Sequence, residues 1–169
     1  MDRKGWIVLS GPAMVLAAGF FSPVFAQSAA PMDWAPLIAQ ISIGLGLSLA
    51  LAGSACGLAT AFQALLGGGE ENFFKNIAVA LMPSSQGIYA IVVFFTNADS
   101  FASEPYAVAG RGAAVGLAMF FSALYQGKVC AAGIRSILEG KNTLANALVS
   151  GAMPETYAVF ALVMTFIMK

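Results

Sequence analysis

The sequence contains no histidine, so chemistry that runs through imidazole is excluded. Charge is scarce as well. Asp, Glu, Lys and Arg make up 9% of the chain, where soluble domains carry about a quarter. Eight basic residues balance eight acidic ones, which leaves no basic surface for nucleic acid. Cysteine occurs twice, at Cys56 and Cys130, each inside an apolar run. No disulfide framework follows from that; buried reduced thiols do. Long polar stretches are missing too, so no separate soluble domain can be cut from the chain. What is abundant is hydrophobic: 59% of residues, with a mean hydropathy of +0.82. This composition belongs to an integral membrane protein with little material outside the lipid.

Residues 1–26 stand apart. A short basic start, MDRK, precedes an apolar stretch and the segment SPVFA, with Val24 and Ala26 in a cleavage-like pattern. They read as a signal peptide, the alternative being an uncleaved fifth helix. Residues 27–35 read as a linker. Four apolar runs follow, at 36–67, 74–97, 106–138 and 143–168. A helix needs about 20 apolar residues to span hydrocarbon, so the second and fourth runs fit and the longer two project or tilt. The connections are short and rich in Gly, Asn and Asp, and they predict antiparallel hairpins over 36–97 and 106–169. The fold class expected is an all-α membrane protein of four transmembrane helices. Lys75, Arg135 and Lys141 flank the first and third connections, while the middle one has only Asp99 and Glu104. Basic flanks favour the cytoplasm, and Arg111 and Lys169 run against that count.

The two hairpins look like copies. Gly53 and Cys56 match Gly127 and Cys130, Met82-Pro83 matches Met153-Pro154, and Tyr89-Ala90 matches Tyr157-Ala158. A two-helix unit returns the chain to its starting side, so its copy is parallel to it and suits a ring better than a rocking transporter. Gly44, Gly46, Gly53 and Gly57 punctuate the first run, and Gly110, Gly112, Gly116, Gly127 and Gly133 the third. Small residues let membrane helices approach closely, which places these two runs on an inner ring or in ordinary close packing. The second and fourth runs, rich in Val, Ile, Phe, Met and Leu, suit the lipid side.

Against this background the polar residues inside the runs are conspicuous. Glu155 is the only charge between Leu144 and Lys169. A charge at mid-bilayer costs ~2.5–3.5 kcal/mol on insertion scales. Two escapes exist: the carboxylate binds a proton, or it holds a monovalent cation whose shell is completed by other oxygens. Ser85, Gln86, Gln126 and Thr156 supply such atoms, which favours sodium over the proton. Tyr89 and Tyr157 pack, or bond through their hydroxyls. Pro83 and Pro154 free the carbonyls of Val79 and Ser150 from helical bonding. A simple count puts Glu155 and Gln86 near mid-bilayer and Gln126 about one and a half turns nearer the cytoplasm.

PSSQGIY in the second run, LYQGK in the third and PETYA in the fourth resemble the proteolipid (c or K) subunit of V-type and A-type rotary ATPases, in its duplicated four-helix form. The resemblance implies a rotor ring of identical subunits in a prokaryotic cytoplasmic membrane, with Glu155 as the ion carrier. It implies a sodium shell from the backbone carbonyl of Met82, Ser85, Gln86, Gln126 and Glu155, with Tyr89 beside them and Ser85 standing where Thr is usual. It also implies two partners: a stator subunit that presents an arginine, and a central stalk at the cytoplasmic loops. No Walker-type phosphate loop is present, so ATP chemistry is expected on other subunits and no cofactor is expected here beyond the transported Na+, or alternatively H+. The rival reading is a four-helix multidrug or cation exporter using the same carboxylate. A structural or fusion-pore proteolipid is a third.

Overall fold

A computed structural model describes residues 33–168. The leader at 1–26 and most of the 27–35 linker lie outside the described residues. Five α-helices make four spans: α1 (Trp34–Leu66), α2 (Glu70–Leu81), α3 (Ser85–Thr96), α4 (Pro105–Leu138) and α5 (Leu144–Ile167). A 3-10 turn, Met82–Ser84, joins α2 to α3, and a second, Ala98–Ser100, lies in the connection to α4. No strand occurs among the described residues. All four spans are long and apolar enough to cross a membrane. At 33 and 34 residues, α1 and α4 measure about 50 Å, well beyond the roughly 30 Å of bilayer hydrocarbon.

Local chemistry sets the ends. Gly69 (φ 74°) precedes α2, which therefore opens at Glu70, four residues before the apolar run begins. Acidic Glu70 and Glu71 fill that first turn and suit its partial positive charge. Pro105 opens α4, where its missing N–H costs nothing. At the other end Gly140 (φ 70°) takes the left-handed conformation that closes a helix. The Lys141 N–H reaches the Ser136 carbonyl at 2.9 Å, and the Gly140 N–H reaches Ile137 at 2.9 Å. Thr143 then caps α5, its hydroxyl accepting the Asn146 N–H at 3.3 Å.

The two prolines behave differently. Pro83 breaks its span, and the Val79 carbonyl expected to be free accepts instead from the Met82 N–H, through the tighter turn. Pro154 sits inside an unbroken α5.

α1 and α4 run side by side along their lengths, and small residues set their separation. A Cβ on Gly116 would lie 2.5 Å from Gly46 Cα, and one on Gly53 would lie 2.7 Å from Phe120 Cα. Gly57 and Gly127 meet in the same seam. Gly44 is not part of it: no atom lies within 4 Å of where its Cβ would be. Gly133 faces Ala147 of α5. Cys130 is buried, whereas Cys56 is exposed, against the expectation that both are buried.

The apolar core falls into two clusters. One gathers Ile43, Ala50, Val93, Val115, Met119 and Ala158; the other gathers Ala61, Leu65, Val79, Cys130, Ile134 and Ala147. Between them, at mid-length, lies a layer containing Ser54, Gln86, Ser122 and Gln126, all buried. At the end bearing the 97–104 connection, Arg111 is buried and bound on three sides. It donates to Asn97 Oδ1 at 2.6 Å, to the Met168 carbonyl at 2.9 Å and to Glu104 at 3.1 Å. Glu104 neutralises it, so Arg111 is a structural clasp and not a free positive charge on that side.

Candidate functional site

The layer between the two core clusters ends on a carboxylate. Glu155, half-buried on α5, accepts from the Tyr89 hydroxyl at 2.8 Å and from Gln126 Nε2 at 3.2 Å. Gln126 is fully buried on α4; its Nε2 also reaches the Gly151 carbonyl at 2.9 Å. Its Oε1 accepts from Gln86 Nε2 at 2.7 Å. Gln86, fully buried on α3, donates further to Ser122 Oγ at 3.1 Å, and Ser122 donates to the Pro154 carbonyl at 2.7 Å. Ser85 Oγ lies 3.3 Å from the Met82 carbonyl and 3.4 Å from Gln86 Oε1. Glu155, Gln126, Gln86, Ser85, Tyr89 and the Met82 carbonyl thus form one connected group drawn from three spans.

Helix periodicity explains the gathering. Gln86 and Tyr89 are three apart, and Ser122 and Gln126 four apart, so each pair shares a face. The depth assigned to Gln126 needs correcting. Gln126 stands 12 residues from the end of α4 and Glu155 stands 11 from the start of α5, and those two ends meet at the 139–143 connection. They are level. The simple count failed because α4 extends well past hydrocarbon length.

Thr156 is not in the group. Its hydroxyl donates to the Met153 carbonyl at 2.7 Å, on an exposed face. One residue along a helix is about 100° around it, so the neighbour of Glu155 in sequence points elsewhere. Tyr157 is exposed too and has no contact with the carboxylate; it lines an apolar groove of about 790 Å³ with Leu117, Phe121, Tyr125 and Phe160. Reading the residues missed Ser122, the Gly151 carbonyl and Ser54, whose hydroxyl accepts the Gly87 N–H at 3.0 Å. Ser122 had one signal, its place one turn before Gln126 on the same face. The Gly151 carbonyl had none.

The donor set is hard: carboxylate, hydroxyl, amide and peptide oxygens. No group of three or more His, Cys, Asp or Glu forms among the described residues. A single carboxylate with neutral oxygens matches one positive charge, a monovalent cation or a proton.

Residues 109–168 match the family model for the C subunit of ATP synthase. The chain is 30% identical over 131 residues to the V-type sodium ATPase subunit K of Enterococcus hirae, spanning 75% of this chain and 80% of that one. The chain belongs to the ATP synthase C-subunit family. A second member, the A-type ATP synthase subunit K of Methanocaldococcus jannaschii, is 28% identical over 133 residues. That match spans 75% of this chain and 60% of the archaeal protein. The family model covers the second hairpin, which holds Ser122, Gln126 and Glu155. As a member of the C-subunit family, the chain is a membrane-embedded, ring-forming proteolipid of a V/A-type ATPase.

Proposed function

We propose that each copy carries one sodium ion across the membrane on Glu155. The observation that carries this reading is the Glu155 carboxylate at mid-span, touched by Tyr89 and Gln126, with Gln86, Ser85 and the Met82 carbonyl adjoining. The name of the Enterococcus hirae relative, a sodium ATPase subunit, favours the same ion.

The chemistry follows from the cost of charge in hydrocarbon. Loaded, Glu155 and its ion are neutral together, and the site tolerates a lipid-facing position. Empty, the anion needs a cationic partner, which an arginine on a stator subunit supplies. The ion enters and leaves there through half-channels, and the ring advances by one protomer. An ion crossing 100 mV exchanges ~2.3 kcal/mol with the machine. Loops 67–73 and 138–142 meet the central stalk, and ATP chemistry lies on other subunits, in a bacterial or archaeal membrane.

The test is labelling with a hydrophobic carbodiimide, which attacks a protonated carboxyl group. It modifies Glu155 alone, and sodium at fixed pH slows the reaction. Labelling indifferent to sodium assigns the cargo as the proton. Detergent-resistant assembly into a large ring discriminates against the exporter reading, which expects a dimer.

A further inference from the structure

We propose that Lys128 and Arg135 hold the phosphate headgroup of an anionic phospholipid, whose acyl chains lie along the apolar part of the same face of α4. The inference goes beyond ion carriage and holds whichever ion Glu155 carries.

Five of the described residues are basic, and three of them have a carboxylate partner: Lys75 with Glu71, Arg111 with Glu104 and Lys141 with Glu139. Lys128 and Arg135 have no such partner among the described residues, and both are exposed on α4. They stand seven residues apart, two turns of helix, so they share a face at a separation of about 10 Å along the axis. Ala132 lies between them and is exposed as well, which leaves that stretch of the face open. The Cβ atoms of a helix lean toward its N-terminus, so Arg135 starts out toward Lys128.

Depth decides what must cover this face. Gln126 is level with Glu155, which stands 11 residues from one end of α5 and 12 from the other. Lys128, two residues past Gln126, is therefore ~3 Å from the middle of that span. Arg135, nine residues past Gln126, is ~14 Å from it, at the edge of a hydrocarbon layer about 30 Å thick. A charge at the depth of Lys128 is costly. The Lys128 ammonium lies over the Tyr125 ring, 4.8 Å from its centroid, and an exposed ring recovers only a fraction of that cost. An anion is needed. Copies in a ring keep each residue at one depth, so the carboxylate that a neighbour brings to this level is Glu155. That group is held by Tyr89 and Gln126 of its own copy. The other described carboxylates stand at span ends or in the connections. A lipid phosphate is the anion that the bilayer itself supplies, at the depth of Arg135, and the flexible lysine stem reaches toward that level. On the other side of Lys128 the face continues into the apolar groove at Leu117, Phe121 and Tyr125, which suits acyl chains. Cationic end and apolar length thus match the two parts of one phospholipid.

The experiment reconstitutes the holoenzyme in vesicles of equal parts phosphatidylglycerol and phosphatidylcholine. It is then extracted in mild detergent, and the lipid that stays with the ring is counted by native mass spectrometry. The wild type keeps phosphatidylglycerol over phosphatidylcholine by about tenfold, since each basic residue near the surface strengthens anionic-lipid binding severalfold. The double variant Lys128→Gln with Arg135→Gln brings the ratio to about one, and Lys128→Arg, which keeps the charge, holds the wild-type ratio. A wild type without preference overturns the site, and so does an unchanged ratio in the double variant. Release of the lipid by inorganic phosphate, but not by chloride at the same ionic strength, overturns the lipid as occupant, because a free anion would then suffice. If the double variant yields no ring, the single variants Lys128→Gln and Arg135→Gln decide: a lowered ratio in either supports the site, and an unchanged ratio in both overturns it.

Discussion

Tyr89 and Gln126 hold the two oxygens of Glu155 from different helices, and their removal has different consequences. Tyr89→Phe deletes one hydroxyl on a half-buried ring and takes a donor from Glu155 Oε1 alone. Gln126→Ala strips partners from the Gly151 carbonyl and the Gln86 amide as well. Unsatisfied buried polar groups cost more than a lost bond, so Gln126→Ala weakens sodium binding by about tenfold or more and Tyr89→Phe by less. Gln86→Ala falls with Gln126→Ala, and all three rings still assemble. Radioactive sodium binding to purified rings measures this; equal affinity in wild type and Gln126→Ala removes that amide from the site. These residues were legible in the sequence because a polar side chain is costly inside an apolar run and stands out there. Ser54 was not, and Ser122 only through its place one turn before Gln126. A serine is small enough to sit anywhere in a membrane helix, and only its partners reveal its use. Thr156 stood beside Glu155 on the chain but not on the helix face.

The α1–α4 seam is where composition becomes geometry. The four spans and their hairpin order were readable because apolar length and Gly-, Asn- and Pro-rich breaks are local signals. Which glycines matter was not readable. Gly44 and Gly46 are two residues apart in one run, yet Gly46 meets Gly112 and Gly44 meets nothing. The same holds for the prolines, of which one breaks a helix and one does not. Gly116→Val therefore separates the helices, because its Cβ would fall 2.5 Å from Gly46 Cα, and backbone cannot yield as a side-chain tip does. The expected result is loss of the ring, or a ring that dissociates at markedly lower temperature. Gly44→Ala is the control. It fills open space and gains about 1 kcal/mol of helix preference, so heat resistance holds or rises. Thermal dissociation followed on gels separates the two, and a Gly116→Val ring as heat-resistant as wild type would remove the seam from the account of assembly.

The exterior of one copy cannot face water. Phe74, Phe95, Tyr106, Tyr157, Phe160 and Ile167 are all more than half exposed, along with Leu45, Leu66, Leu117 and Val149. Lipid and neighbouring copies are the covers available to a ring-forming proteolipid. On α5 that surface carries one carboxylate, the half-buried Glu155, so assembly and ion carriage rest on separate features of the same surface. Assembly needs the apolar faces and the glycine seam; carriage needs one group that changes charge. Glu155→Gln tests the separation. Glutamine keeps the size and hydrogen-bonding capacity of the side chain but is neutral with or without an ion, so the ring forms as in wild type. It takes no carbodiimide label, and it never presents the anion that a stator arginine would attract. ATP-driven sodium uptake by vesicles carrying the assembled enzyme should fall to background while the ring band is unchanged. Undiminished uptake would mean that the charge-changing group lies elsewhere. Between Leu144 and Ile167, α5 has no second carboxylate to take over, so its loss leaves that helix without a carrier.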